Sequence, residues 1–187
     1  MKKFNYHSPE NINDCYSLFK NSEVPFYLAG GMTLLPSIKQ GLSTPTDLID
    51  LSLIKEMKGI FDDELDITVG SLTTHNEIAQ SKLINNNILG LSSLASTIAD
   101  NAIRNKGTLG GSVCNADPAA DYPAALISLD SVLNTNLRKI KAKDFFLDMF
   151  ETSLQEGEIL ISISFSKPDF SIYEKFASQA SKYAIVG

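Results

Sequence analysis

The sequence contains few cysteines, no long apolar run and no excess of positive charge. Its two cysteines, Cys15 and Cys114, form no CxxC pair, which argues against a metal or iron–sulfur site of its own and favours a reducing, cytoplasmic setting. No apolar run approaches the roughly 20 residues that span a bilayer, and residues 1–10 lack the apolar segment of a secretory signal. The net charge of −6 argues against nucleic acid and anionic membranes as main partners.

Two common nucleotide-binding motifs are also absent. The chain has neither a GxGxxG fingerprint nor a GxxxxGK[ST] loop, so an ATP- or NAD-binding module is the weakest of the functions considered. No general base with a partner is evident, and no catalytic residue is predicted. With 187 residues, 43% hydrophobic and 20% charged, the chain is expected to form one globular domain or one domain with two lobes.

Two glycine pairs stand out in what is present. LAGGMTLLP, residues 28–36, has the order strand, glycine turn, helix start, and TLGGSVCNADPAADY, residues 108–122, places a second pair before Asp117 and Asp121. Glycine permits tight turns and close approach to the backbone, and a turn before a helix directs free N–H groups at an anion. Two such turns predict a ligand with a diphosphate that is held from both sides.

The hydrophobic patterning predicts an α+β chain with two lobes. Residues 1–52 read as a small βαβ-like lobe, and residues 53–166 as a second lobe with strands at 57–61, 65–69 and 159–165. Thr74 and Glu77 form a capping-box pattern at a helix start. Further helices are predicted at 89–98 and 123–129, a short turn at 102–104, a hairpin at 132–140 and packed side chains at Phe145, Phe146 and Phe150.

Four motifs in this order resemble those of the FAD-binding subunit of the molybdenum hydroxylases, the family of xanthine dehydrogenase and carbon monoxide dehydrogenase. They are LAGGMTLLP, GSLTTH, IRNKGTLGGSVCNADPAADYPAAL and EGEILISISF, and together they span nearly the whole chain. The resemblance implies a two-lobed FAD-binding fold of the vanillyl-alcohol-oxidase (PCMH) type. In that fold the second lobe has a mainly antiparallel sheet, and FAD lies between the lobes.

The resemblance also implies the cofactor-binding residues, with both glycine loops holding the pyrophosphate through backbone N–H groups. The first loop and its flanks comprise Leu28, Ala29, Gly30, Gly31, Met32, Thr33, Leu34 and Leu35. The second comprises Thr108, Leu109, Gly110, Gly111 and Ser112. On this basis a Gly110→Val substitution is expected to abolish FAD binding while the protein stays folded.

Other positions are carried over with more specific roles. Asp121 matches a carboxylate on the ribityl or ribose hydroxyls, and Ile98 and Leu160 match apolar positions bordering the flavin and adenine. Thr74, Asn115 and Asp117 fall in motifs near the cofactor.

Each role has a structural alternative. Asp121 could cap the helix that starts at Pro123, and Asp117 could form a turn before Pro118. Ile98 and Leu160 would be core residues in any fold. His75 is interpreted as structural. Cys114 is interpreted as a small buried filler and is the one residue to check for a flavin link. Arg104 and Lys106 are interpreted as a surface pair or as cations that neutralise phosphate.

The resemblance implies an electron-transferring flavoprotein subunit of an oxidoreductase. Its expected partners are a small subunit with 2Fe-2S clusters and a large molybdopterin subunit, and the external acceptor is NAD, a quinone or oxygen. Without these partners the chain is expected to be inactive towards substrate. Residues 167–187 resemble the first strand and turn of a further C-terminal domain, with Ala177, Ser178 and Lys182 departing from residues common in relatives. The alternative is a truncated FAD-domain relic acting as a non-catalytic interaction module.

Overall fold

The computed structural model describes residues 2–187, so Met1, with which the predicted first lobe begins, lies outside it. The first part of the chain forms a three-stranded parallel sheet of order β1-β3-β2. Parallel neighbours need crossover connections, and the two helices supply them. The elements are β1 (Asn5–His7), α1 (Ile12–Asn21), β2 (Pro25–Leu28), α2 (Leu34–Gln40) and β3 (Asp47–Asp50). The βαβ-like order predicted for this lobe is confirmed.

Local signals fix the ends of these helices. The Asn11 side chain accepts a hydrogen bond of 2.9 Å from the Asp14 N–H at the start of α1, satisfying a donor that the helix leaves free. Gly41 ends α2 with a φ of 77°, a left-handed conformation that costs glycine little.

The second sheet has five strands of order β4-β5-β10-β6-β7, and every pairing in it is antiparallel. Its strands are β4 (Ile60–Asp62), β5 (Asp66–Gly70), β6 (Val132–Thr135), β7 (Lys139–Lys141) and β10 (Leu160–Ser166), while β8 (Phe146–Asp148) and β9 (Glu151–Thr152) form a separate two-stranded sheet. The helices between β5 and β6 are α3 (His75–Gln80), α4 (Lys82–Asn87), α5 (Leu89–Thr97), α6 (Asn101–Arg104), α7 (Leu109–Asn115) and α8 (Tyr122–Ser128).

The main hydrophobic core lies between this sheet and its helices. Val69 and Ile163 from the strands pack in one cluster with Leu91, Val113 and Leu126 from α5, α7 and α8. A second buried cluster joins the two sheets, because it combines Ile49 of β3 with Leu72, which follows β5, and Ile159, which precedes β10. The predicted α+β class, with a mainly antiparallel second sheet, is confirmed.

Three local predictions were wrong. The strand predicted at 57–61 begins only after Gly59, whose φ of 100° interrupts extended structure. Met57 ends a 3₁₀ turn (Lys55–Met57). Residues 102–104 belong to α6, because the Asp100 side chain accepts from the Ile103 N–H at 2.9 Å and starts a helix. Phe150 is exposed at the turn between β8 and β9 instead of packing inside.

The last residues form a short antiparallel pair of strands, β11 (Phe176–Ala177) and β12 (Ala184–Val186). This C-terminal segment, residues 171–187, lies against α5 and the loop between α7 and α8. The Gly90 N–H donates to Ser171 Oγ at 3.0 Å, and the Ala184 N–H donates to the Ala119 carbonyl at 3.3 Å. None of the helices formed by residues 2–187 has both the length and the apolar composition needed to cross a membrane.

Candidate functional site

A cavity of about 570 Å³ lies where the two lobes of the fold meet. Its walls include both glycine pairs, so the predicted convergence of the two motifs is found. The loops touch directly: a Cβ on Gly30 would overlap the Lys106 carbonyl oxygen and lie 2.9 Å from Gly107 Cα. Fifteen of the predicted site residues line this cavity: Ala29, Gly30, Gly31, Met32, Thr33, Leu34, Ile98, Thr108, Gly110, Gly111, Ser112, Asn115, Asp117, Asp121 and Leu160.

The first glycine loop supplies free main-chain hydrogen-bond donors to the cavity. The N–H groups of residues 30–34 have no hydrogen-bond partner among residues 2–187, whereas the Leu35 N–H already donates to the Gly31 carbonyl at 3.1 Å. Gly31 has a φ of 73°, which lets successive amides turn toward the same side. Unpaired amides on the wall of a cavity form an anion-binding surface.

The second glycine pair is not a turn, as the sequence had suggested, but the first turn of α7. Thr108 caps this helix through a 3.1 Å hydrogen bond from the Gly111 N–H to its hydroxyl. The Leu109 and Gly110 N–H groups donate to the carbonyls of Thr73 and Ser71, and the Ser112 N–H donates to Thr108. All four donors are therefore used within the chain, so this motif does not offer free amides in the way that the first loop does.

The glycine at position 110 is required for packing. Its N–H donates to the Ser71 carbonyl at 2.8 Å, and a Cβ there would overlap Ser71 Cβ and lie 2.9 Å from Ser71 O. A valine would force α7 away from this neighbouring segment. The expectation that Gly110→Val affects only ligand binding is wrong, because that substitution would also disturb the fold.

Asp121 lies on the cavity wall but does not cap α8. It occupies the N-cap position without a side-chain capping bond. Its carboxylate instead accepts from the Tyr173 hydroxyl at 2.6 Å and from Lys175 Nζ at 3.0 Å, and the Asp121 and Lys175 side chains are only 6% and 5% exposed. Burial, together with this hydrogen bond to Asp121, raises the pKa of Tyr173, so the phenol stays protonated. The capping alternative is wrong, and the carboxylate joins the C-terminal segment to the wall.

Three carboxylates face the cavity, and two of them are neutralised. Asp121 is paired with Lys175, and Glu158, whose side chain is buried, is paired with Arg138 at 3.1 Å. Asp117 accepts from the Ala119 N–H at 2.9 Å, which confirms its turn-forming alternative while leaving it on the wall. Because the two cations offset two of the negative charges, the wall does not oppose an anionic ligand as strongly as its carboxylates alone would.

The remaining predicted residues divide between the cavity and the core. Leu160 is buried and Ile98 half-buried, and both line the cavity. Four residues do not line it, because they pack or cap elsewhere: Leu28, Leu35, Thr74 and Leu109. Leu28 and Leu35 pack in the small core of the first sheet, Leu109 is buried in the main core, and Thr74 caps α3 in the capping box predicted with Glu77.

Some cavity residues were missed or misjudged. Cys114, expected to be a buried filler, is exposed and lines the cavity. Ser71 and His75 also line it, although His75 was interpreted as structural and Ser71 was not singled out. Both lie in the GSLTTH motif, which was the available signal. Ser181, Lys182 and Tyr183 complete the wall from the C-terminal segment, and no local pattern in the sequence brings that segment to the cavity.

Arg104 has a structural role. Its guanidinium donates to the carbonyls of Ile98 and Ala99 at 2.7 and 3.1 Å and also contacts Asn101. These bonds close the loop between α5 and α6 and place Ile98 at the cavity. Neither Arg104 nor Lys106 is among the residues that line it.

The sequence and the fold agree with those of a known family. A family model described as the FAD binding domain in molybdopterin dehydrogenase matches residues 2–168. The chain belongs to that family. FAD, predicted from the four motifs, is thereby confirmed as the cofactor of this domain type.

Relatives of the FAD-binding domain cover the chain almost completely. The carbon monoxide dehydrogenase medium chain of Hydrogenophaga pseudoflava is 31% identical over 99% of the chain, and the glyceraldehyde dehydrogenase medium chain of Sulfolobus acidocaldarius is 28% identical over 98%. The chain spans about two thirds of each relative, 67% in both cases. These relatives are oxidoreductase subunits.

Solved structures show the same fold. Carbon monoxide dehydrogenase from Hydrogenophaga pseudoflava matches 98% of the chain and 67% of its own chain, with a TM-score of 0.93 and 30% identity. Quinoline 2-oxidoreductase from Pseudomonas putida 86 matches 99% of the chain and 67% of its own, with a TM-score of 0.94 and 26% identity. The predicted two-lobed PCMH-type fold is confirmed.

The residues of the cavity fit the cofactor of this family. Its volume of about 570 Å³ lies within the usual range for small-molecule sites. The free amides of residues 30–34 suit a diphosphate, and the apolar side chains of Leu160 and Ile98 suit an aromatic ring. The donors, the apolar wall and the neutralised carboxylates therefore agree with FAD, which supplies the electron chemistry when it is bound.

Proposed function

We propose that this chain is the FAD-binding part of the medium subunit of a molybdenum-containing dehydrogenase. In this function the bound cofactor accepts electrons from 2Fe-2S clusters in a small subunit, while a large molybdopterin subunit oxidises the substrate. An external acceptor, NAD, a quinone or oxygen, receives the electrons. The observation that carries the proposal is a cavity lined both by residues 30–34, whose amides are free, and by residues of α7.

The roles proposed for individual residues follow from their positions in the cavity. The amides of residues 30–34 bind the diphosphate, since all five are unpaired within residues 2–187 and all five residues line the cavity. Thr108, Gly111 and Ser112 shape the opposite wall. Gly110 contributes to this wall by letting α7 pack closely on Ser71. Ile98 and Leu160 border its rings.

Asp121 has a narrower role in this proposal. One oxygen already accepts from Tyr173 and the other from Lys175, but each carboxylate oxygen can accept two bonds. The remaining lone pairs can accept from a ribityl or ribose hydroxyl. Asp121 would then connect the cofactor to the C-terminal segment.

A titration with FAD tests the proposal, and two glycines of the same conformation provide the matched variants. Gly31 and Gly41 have φ values of 73° and 77°, so alanine strains the backbone at both. At Gly31 the new Cβ would also lie 2.8 Å from Leu35 Cδ1, while at Gly41 it would meet nothing within 4 Å. We expect Gly31→Ala to weaken FAD binding at least about tenfold, because the loop must shift its amides, and Gly41→Ala to leave it unchanged.

The purified protein is expected to be yellow, with absorption bands near those of free FAD. A wild-type protein that takes up no FAD would contradict the proposal and favour a non-catalytic interaction module. Equal affinities for wild type and Gly31→Ala would contradict the role of the first loop alone. With the partner subunits present, reduction of the flavin by substrate and its reoxidation by each acceptor in turn identify the electron path.

A further inference from the structure

Two side-chain polar atoms on the cavity wall, Ser71 Oγ and His75 Nε2, have no hydrogen-bond partner within the described chain. Ser71 is 3% exposed, and its Oγ makes no hydrogen bond. His75 is 4% exposed, and its one side-chain hydrogen bond is made by Nδ1, which leaves Nε2 unpaired. Both residues line the cavity. Buried polar atoms are nearly always hydrogen-bonded. The buried, unpaired hydroxyl of Ser71 and the unpaired Nε2 of His75 on the same cavity wall therefore indicate a ligand that pairs with them.

The backbone around Ser71 is fixed while its hydroxyl is free. Its N–H donates to the Ile161 carbonyl at 2.9 Å, and its carbonyl accepts from the Gly110 N–H at 2.8 Å. Because Gly110 has no side chain, α7 packs directly on the Ser71 Cβ. The position of the hydroxyl is therefore set by main-chain bonds to β10 and α7, and it is not held by any bond of its own.

The hydrogen bonding of His75 indicates which nitrogen carries the proton. Nδ1 lies 3.0 Å from the hydroxyl of Tyr122, which is fully buried and has no other side-chain partner within residues 2–187. If Nδ1 donated, the tyrosine proton would lack an acceptor in the core. Donation from the Tyr122 hydroxyl to Nδ1 satisfies both groups and puts the imidazole proton on Nε2. That atom lies beside Gly107, where a Cβ would be 2.8 Å away.

We propose that Ser71 and His75 are cofactor-binding residues, whose hydroxyl and Nε2–H hydrogen-bond to an uncharged, acceptor-bearing part of FAD. Such a part is a ring carbonyl, a ring nitrogen or a sugar hydroxyl. In the proposed function, the diphosphate is bound by the free amides of residues 30–34 on the other lobe. A neutral imidazole and a hydroxyl suit an uncharged acceptor better than they suit a second anion. This inference rests on the proposed function, because it assigns further residues of the same site.

Ser71→Ala tests the role proposed for the Ser71 hydroxyl, and Ser153→Ala is its matched control. Ser153 Oγ is the other buried side-chain atom without a partner in residues 2–187, but Ser153 does not line the cavity. Loss of one hydrogen bond is expected to raise the FAD dissociation constant about 5- to 10-fold in Ser71→Ala. The FAD-free Ser71→Ala protein should unfold at the same denaturant concentration as wild type or a higher one, since no bond is lost. Ser153→Ala should bind FAD as wild type does.

His75→Asn and His75→Gln test the role proposed for Nε2–H of His75. Asparagine places an amide near the position of Nδ1 and removes the group at Nε2, whereas the longer glutamine carries its amide toward the Nε2 position. We expect weaker FAD binding in His75→Asn and near wild-type binding in His75→Gln. In wild type, the Nε2–H resonance of His75 should shift when FAD is added, and with two histidines in the chain its assignment is direct.

The outcomes separate this inference from the proposed function. If wild type binds no FAD, the proposed function fails. A second case is that wild type binds FAD, but Ser71→Ala and His75→Asn bind it equally well and the Nε2–H resonance does not shift. In that case this inference fails and the proposed function stands. Repeating the titrations with FMN and with ADP shows which half of FAD is bound, because only the fragment that contacts Ser71 and His75 should lose affinity in the variants.

Discussion

At the scale of single residues, His75 is a buried imidazole whose charge state depends on its surroundings. Burial is the main cause that lowers the pKa of His75 to about 4, and the positive charge of Arg104 adds to the effect. An exposed histidine in the unfolded chain titrates near about 6.5. Between these values the unfolded chain binds more protons than the folded one, so the stability of the fold decreases as the pH falls through this window.

This difference gives a measurable pH dependence. Between pH 7 and pH 5 the contribution of His75 should reduce the free energy of unfolding by about 2 kcal/mol. His75→Gln has no titrating group at this position, so its stability should decrease less over the same interval. Urea unfolding of both proteins at the two pH values measures the effect. Identical pH dependence in the two proteins would show that the imidazole of the folded chain titrates as an exposed one does.

The two glycine pairs show what residue identity can and cannot predict. Both were read as turns with free amides, and Gly30–Gly31 forms one. Gly110–Gly111 instead lies in a helix, because Thr108 caps it and Ser71 accepts the Gly110 N–H. The capping threonine is visible in the sequence. The approach of Ser71 is a contact between distant segments, and no local pattern encodes it.

At the scale of secondary-structure elements, the C-terminal segment is held to the cavity wall by a buried ion pair. Local periodicity identified most helices and strands, including the capping box of α3 and strand β10. It could not place residues 171–187, because their position depends on the pairing of Lys175 and Tyr173 with Asp121, more than 50 residues away. The lobe boundaries predicted after residues 52 and 166 are not tested by these contacts.

Lys175→Met should destabilise the protein through the carboxylate that it leaves behind. Removing one partner of a buried ion pair costs about 3 kcal/mol, because the other charge stays buried without compensation. Lys167→Met is the matched control: Lys167 pairs with Asp62 at 2.6 Å, but these side chains are 24% and 41% exposed, and exposed pairs contribute less than about 1 kcal/mol. Chemical unfolding measures both losses. In Asp121→Asn the further loss caused by Lys175→Met should be small, and an undiminished loss would exclude coupling between the two residues.

At the scale of the whole molecule, the site exists because two sheets with separate cores meet at a shared apolar cluster. Ile49 comes from the parallel sheet, and Leu72 and Ile159 come from segments next to β5 and β10 of the antiparallel sheet. The four motifs predicted this family and this convergence. They did not predict the unequal chemistry of the two lobes, in which one contributes free amides and the other contributes a helix whose amides are already paired.

Amide hydrogen exchange tests whether the free amides lie in the first lobe and the paired amides in the second. Without FAD, the amides of residues 30–34 should exchange fast and those of residues 109–112 slowly, because only the second set is hydrogen-bonded within the chain. Saturation with FAD should slow the first set markedly and change the second little. At 100 times the dissociation constant, FAD should also stabilise the fold by about 2.7 kcal/mol, which slows exchange through global unfolding equally in both lobes. If saturating FAD protects residues 109–112 but leaves residues 30–34 exchanging as before, the diphosphate lies on the second lobe and the proposed division of roles is wrong.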